Sequence, residues 1–314
     1  MAEFLNAVSA VFVIFLIQAV GYLLGHLGWL TANEKKFISK YVINIAVPVN
    51  CVVGMLKNFS REDLLKAGLP LLIGITVVGA SLGLGAVVAT ALKLPRNRWG
   101  VFVAMAGISN SMFIGLPVTQ QLFGPPSLPY MMMYFLASSL YTQTVAVVLC
   151  EQAGTKGSAG KPDFVKMALG MFKKPPVIGI MTAVVLLLTG LRPPQVVLSA
   201  ATYISNTVTP LALIYCGFIL YEVGIKNLRL MPGFPAMLLI RLVLAPALCL
   251  GLCALFGVVD LPRSVFVVMA GLPVVTQVTV MAGAYGADEQ YAAVGSCLSM
   301  LGMFITIPVI MMIL

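Results

Sequence analysis

Residues 107–117 read GISNSMFIGLP, a run in which Ser109, Asn110 and Ser111 stand together just ahead of Gly115-x-Pro117, in otherwise apolar surroundings. Proline has no amide hydrogen and its ring collides with the carbonyl four residues back, while a neighbouring glycine loosens the chain. A helix carrying this run is predicted to break. Inside a membrane the freed N–H and C=O groups each cost several kcal/mol against lipid, so they need protein, water or a bound solute. A break also brings a half-helix N-terminus to mid-depth, where its amides favour an anion. The motif recurs: Gly115-Leu-Pro117-Val-Thr119-Gln120 is matched by Gly271-Leu-Pro273-Val-Val-Thr276-Gln277, with one residue inserted.

The surroundings call for lipid. Hydrophobic residues make up 60% of the 314 positions and charged ones 9%, a balance no water-soluble domain of this size covers with polar surface. A crossing needs roughly 20 apolar residues. The chain divides into ten such spans, at about 5–26, 36–56, 68–92, 99–123, 128–150, 175–191, 199–222, 234–257, 264–286 and 290–314. Glu3 is the only charged side chain ahead of the first span and no clean small-residue cleavage site follows it, so that span reads as a retained helix.

The net charge of +9 would suggest nucleic acid in a soluble protein, but here the basic residues lie between spans and set orientation. Thirteen Lys and Arg fall in the odd-numbered connections against five in the even-numbered ones, with Arg241 inside a span. Both termini are therefore expected outside an inner (plasma) membrane. The longest connection, 151–174, carries GTKGSAGKPD and reads as a cytoplasmic linker. The six cysteines lie in or at the ends of spans without CxxC or a histidine cluster, which argues packing rather than metal or disulfide.

A second internal match accompanies the first: Asn44-x-x-x-Pro48 in span two and Asn206-x-x-x-Pro210 in span seven. The two matches fall in the same order and at similar separation. Each half, 1–150 and 175–314, then holds five spans, and five is odd, so the second copy enters the membrane reversed. Inverted repeats with interrupted helices at equivalent positions are the usual construction of secondary transporters.

GISNSMFIGLP at 107–117, NTVTPLALIYCG at 206–217, the stretch from Leu272-Pro273 through Tyr285 to Asp288, and the closing 296–308 segment together resemble the auxin efflux carrier family, which includes plant PIN-type carriers and bacterial malate and malonate permeases. The resemblance implies an all-α fold like that of bile-acid symporters and sodium/proton antiporters, with discontinuous spans four and nine crossing. It implies a transport domain of spans three to five and eight to ten, and a scaffold of spans one, two, six and seven through which two copies dimerise. It implies a small organic anion as substrate, a dicarboxylate first and an auxin-like monocarboxylate next. No cofactor is expected.

Candidate substrate-binding residues follow from both readings. Asn110, with Ser109 and Ser111, leads, because asparagine inside a span needs partners. Pro117 and Pro273 mark the breaks. Thr119, Gln120, Thr276 and Gln277 follow them at equivalent spacing and serve either a ligand or helix association. Span five carries Ser138, Ser139, Tyr141, Thr142, Gln143 and Thr144, more than one helical stripe holds, so only part of that run faces a cavity. The resemblance implies that Asn50, two residues after Pro48, faces the transport domain. Arg241 is the one intramembrane charge, either a carboxylate counter-ion or a snorkelling side chain near its span end. No Asp or Glu lies mid-span, which disfavours a carboxylate-built proton or sodium site, although backbone carbonyls at the breaks offer sodium ligands and the coupling ion, proton or sodium, stays open. One histidine and no mid-span acid leave an intramembrane enzyme little to work with. A channel or a ligand sensor of the same fold are the other readings.

Overall fold

The computed structural model describes residues 2–58, 68–111, 114–154, 175–224 and 231–314. The described secondary structure is helical apart from one isolated β-bridge. In chain order the helices are α1 (Ala2–His26), α2 (Ala32–Tyr41), α3 (Val47–Asn58), α4 (Gly68–Ala91), α5 (Arg96–Gly107), α6 (Gly115–Phe123), α7 (Leu128–Tyr141) and α8 (Val147–Gly154). They continue as α9 (Pro175–Thr189), α10 (Gln195–Asn206), α11 (Val208–Val223), α12 (Phe234–Leu239), α13 (Ala245–Leu255), α14 (Asp260–Ala270), α15 (Gln277–Tyr285) and α16 (Glu289–Ile313). Among the described residues six helical stretches are long and apolar enough to cross a membrane: Ala32–Lys57, Gly68–Ala91, Pro129–Gly154, Gln195–Glu222, Phe234–Leu255 and Glu289–Ile313. Phe15–His26 and Val177–Thr189 are shorter apolar helices. The stretches predicted as spans four and nine are each divided, into α5 and α6 and into α14 and α15. Most of the predicted linker, 155–174, lies outside the described residues.

Three helix pairs are joined through wider π turns, at Val42–Ala46, Thr142–Ala146 and Ile240–Leu244. Two have a proline two residues on, Pro48 and Pro246. A proline withholds one helical bond and crowds the carbonyl four residues earlier, here Asn44 or Leu242, and the widened turn takes up that crowding. The Thr142–Ala146 turn has no such proline.

Packing is close enough for backbones to touch. A Cβ on Gly21 would sit 2.1 Å from the Ile214 carbonyl oxygen, and one on Gly217 would sit 1.9 Å from that of Gln18. Glycine at these two places lets α1 and α11 approach as small residues do in membrane interfaces. Gly217→Ala is therefore expected to destabilise by about 1–3 kcal/mol through overpacking, read as a fall of several degrees in the melting temperature of the detergent-solubilised protein. An unchanged melting temperature would mean that the two helices separate at no cost.

The two Gly-Leu-Pro-Val copies do not occupy equivalent places. Gly115-Leu-Pro117 opens α6, whereas Gly271 closes α14 and Pro273 lies in the extended segment after it. In space Gly107–Ser111 is the counterpart of Gly271–Val275, since Ser109 pairs with Val274. The sequence match was offset because both proline contexts disrupt a helix, one at its start and one after its end.

Candidate functional site

The two broken helices meet at their gaps. Ile108 leaves α5 with extended dihedrals, φ −112° and ψ 122°. The segment that follows runs antiparallel to residues 273–276: the Asn110 N–H donates to the Pro273 carbonyl at 2.8 Å and the Val275 N–H to the Ile108 carbonyl at 3.3 Å. Each gap thus supplies hydrogen-bond partners for the other, which is how irregular backbone survives among apolar helices. Side chains brace the crossing. Asn110 Nδ2 donates to Thr276 Oγ1 at 3.2 Å, and the Val274 N–H donates to Ser299 Oγ at 3.0 Å. The Asn110 carbonyl accepts the Gly115 N–H at 3.1 Å, the residue that starts α6. Asn110 is therefore the residue through which both gaps and a new helix start are tied.

A cavity of about 40 Å³ lies against this crossing, between Asn50, Cys51 and Met55 of α3, Ser109 to Ser111, and Phe135, Ser138, Ser139, Thr142 and Gln143, with Val275 and Gln277 from the other gap. At roughly 10–15 Å³ per water it holds about three waters, so a multi-carbon solute requires it to widen. A second cavity of about 10 Å³ lies on the α11 side, bounded by Asn110, Thr276 and Gln277 together with Val208, Thr209, Ala212 and Leu213. Asn110 and Gln277 border both.

Part of this polar set is left without hydrogen-bond partners and part is satisfied within the protein. Ser109 Oγ, Asn110 Oδ1 and Gln143 Oε1 are buried without a hydrogen-bond partner among the described residues. Each such orphan costs about 1–3 kcal/mol, so three together amount to a debt that a bound polar group or waters would relieve. Others are satisfied: Gln143 Nε2 donates to Gln277 Oε1 at 3.2 Å, Ser205 Oγ to Asn50 Oδ1 at 2.7 Å, and Ser138 Oγ to the Ser109 carbonyl at 3.4 Å.

Of the candidates from sequence, Asn50, Ser109, Asn110, Ser111, Ser138 and Gln277 line the α3 cavity, and Thr276 the smaller one. Pro273 contributes its carbonyl to the crossing and Pro117 stands third in α6. Tyr141 turns elsewhere, its hydroxyl lying close to Gly79 of α4. Thr119 is buried and donates to the Gly115 carbonyl at 2.7 Å within its own helix, and Gln120 is exposed. Arg241 is fully buried, which excludes snorkelling, and it lines neither cavity. Among the described residues no cluster of three His, Cys, Asp or Glu is arranged to hold a metal.

Phe135, Cys51 and Met55 carried no sequence signal as wall residues, being apolar like their surroundings. A cluster at one end was also missed. Lys35 Nζ lies 2.7 Å from Glu289 and 2.9 Å from Glu222, Tyr215 donates its hydroxyl to Glu289, and the Lys35 ammonium sits 5.8 Å from the centre of the Phe218 ring. Ser39 Oγ donates to the Val280 carbonyl at 3.3 Å one turn deeper. These contacts join α2 and α11 to α15 and α16. The signal was present in the rarity of charge: opposite signs at three span ends find one another when the ends converge.

A family model described as "Membrane transport protein" matches residues 6–311. An uncharacterized transporter of Methanothermobacter thermautotrophicus is 26% identical over 307 residues, covering 95% of this chain and 94% of its own length. An uncharacterized transporter of Methanocaldococcus jannaschii is 22% identical over 289 residues, covering 91% of each.

Proposed function

The chain belongs to the membrane transport protein family, the auxin efflux carrier family, and from that premise we propose that it is a secondary carrier which binds a small organic anion at the Asn110 crossing and moves it by alternating access. The observation that carries this reading is the shared wall: Asn110 and Gln277 border two cavities at the crossed helix gaps, and residues of the larger one carry unpartnered polar atoms. Helices α6 and α15 both begin at the crossing, and each helix N-terminus carries roughly half a positive charge. A carboxylate meets that pair with opposite sign.

The ten spans form a 5+5 inverted repeat in this reading, supported by gaps at corresponding places in each half and by the Asn-x-x-x-Pro pairs at Asn44 and Asn206. α4–α8 and α12–α16 make the moving domain against a scaffold of α1–α3 and α9–α11, through which two copies pair. The ion and hydroxyl contacts around Lys35 bind scaffold to moving domain at the end assigned to the cytoplasm by loop charge. The cavity beside Asn50 then belongs to the outer side of an inner membrane, and both termini are outside. Small dicarboxylates such as malate or malonate lead as substrates, auxin-like monocarboxylates follow, and a proton or sodium ion is the coupling partner if there is one.

Purified protein in proteoliposomes tests this with a panel of labelled organic acids. Saturable uptake that accelerates when unlabelled acid is loaded on the far side is the expected result. Non-saturating flux near the diffusion limit would make the protein a channel, and binding without flux a sensor. The acid to use is found by thermal shift: a ligand at one hundred times its Kd stabilises the native state by about 2.7 kcal/mol.

A further inference from the structure

Arg241 is the largest fully buried side chain, and its charge has no acidic partner among the described residues. A buried guanidinium is costly unless opposite charge and acceptors surround it. Its acceptors are backbone: one terminal nitrogen donates to the Ala106 carbonyl at 3.4 Å and the other to the Ala270 carbonyl. Ala106 is the penultimate residue of α5 and Ala270 the last of α14. These are the two half-helices that run into the crossing, and their carbonyl ends are the ends left without helical partners.

The charges balance. Each helix C-terminus carries about −0.5 of an elementary charge, so two of them together make about −1 against the single positive charge of the guanidinium. Only arginine among the basic side chains has a planar fork able to reach two separate carbonyls at once. The fork is aimed by the π turn Ile240–Leu244, in which Arg241 is the second residue. Such turns recur at functional positions because they re-aim a side chain without ending the helix.

We propose that Arg241 is the positioning residue of the crossing: it clamps the carbonyl ends of α5 and α14 to one point, neutralises both, and so keeps the segments at 108–111 and 273–276 paired. With those ends neutralised, the helix termini left at the crossing among the described residues are the positive ones of α6 and α15, and the site prefers an anion. The preference for an anion rests on the carrier reading. The clamp does not.

Amide hydrogen exchange on the purified full chain, read by mass spectrometry without added solute, separates the two. In Arg241→Met, peptides covering 104–111 and 270–276 are expected to exchange at least tenfold faster, while peptides from α1 and α11 keep the wild-type rate. Arg241→Lys retains the charge but not the fork and is expected to restore part of the protection. Crossing peptides that exchange at the wild-type rate in both variants would overturn the proposal, as would acceleration spread evenly over every helix. Should Arg241→Met fail to fold, Arg241→Lys decides alone, with wild-type exchange at the crossing counting against the clamp and local acceleration there counting for it. A wild-type protein that carries no solute would sink the carrier reading while leaving the exchange result intact. A variant that loses binding of the acid found by thermal shift, with crossing protection unchanged, would make Arg241 a counter-ion instead.

Discussion

Asn110→Ala is expected to cut solute uptake by at least about tenfold while lowering the melting temperature by only a few degrees. The asymmetry comes from which atoms the substitution removes. The backbone of Asn110 makes the bonds that hold the crossing, to Pro273 and from Gly115, and alanine keeps them. The side chain makes one described bond, to Thr276, and a neutral hydrogen bond is worth about 1 kcal/mol net, a few degrees for a protein of this kind. Its Oδ1 has no described partner, and the residue borders both cavities. A lost polar contact to a solute held there costs 1.4 kcal/mol or more, a factor of ten. Uptake by Asn110→Ala at the wild-type rate would take the residue out of the transport path. Asn110→Asp sharpens the test, because a carboxylate at that position repels an anion and should abolish uptake where alanine only weakens it.

Glu289→Lys is expected to open the end of the molecule that Lys35 closes. In the native protein Lys35 bridges Glu289 and Glu222 with side chains that retain 17–28% of their exposure. Ion pairs of that kind are worth roughly 0.2–1 kcal/mol each, so under the proposed carrier reading the closure would be strong enough to bias a resting state and weak enough to be reversed. A lysine at 289 replaces attraction by repulsion and removes the acceptor of the Tyr215 hydroxyl. Cys216, the neighbour of Tyr215, is fully buried, so its reaction with a water-soluble maleimide reports the opening. Peptide mapping should show labelling at Cys216 at least tenfold faster in Glu289→Lys than in wild type. Unchanged labelling would mean that the cluster is surface decoration and that closure lies elsewhere.

The breaks in spans four and nine were readable from the paired Gly-Leu-Pro runs, because those residues act directly on the backbone, whereas Pro308 alone leaves its helix continuous. The crossing of the breaks and the facing of Asn50 came from the resemblance, while polarity in apolar company singled out Asn110, Ser138 and Gln277, which the structure places at the crossing and in the cavity wall. What escaped the sequence depended on partners distant along the chain. Arg241 could be read as a buried charge, but its contacts are main-chain carbonyls, and every residue has one, so no side-chain pattern points to them. Tyr141 and Ser138 are three residues apart in one polar run, yet the hydroxyl of one lies close to Gly79 and the other faces the crossing. A list of polar residues gives no azimuth. The offset between the two Gly-Leu-Pro-Val copies has the same origin: a motif states that a helix is interrupted and leaves open on which side of the interruption it stands.

The wide turn at Thr142–Ala146 has a consequence of its own. An α-helix advances 100° per residue, and a π turn holds one residue more than the turn it replaces. When that surplus residue is passed along the helix to a neighbouring turn, each side chain it overtakes swings through about 100° with no change in the tilt or depth of the rod. Thr142 and Gln143 stand inside this slack and both line the cavity, so rewinding by a single step would withdraw one from that wall and present the next, an exchange of chemistry with no bulk displacement of the helix.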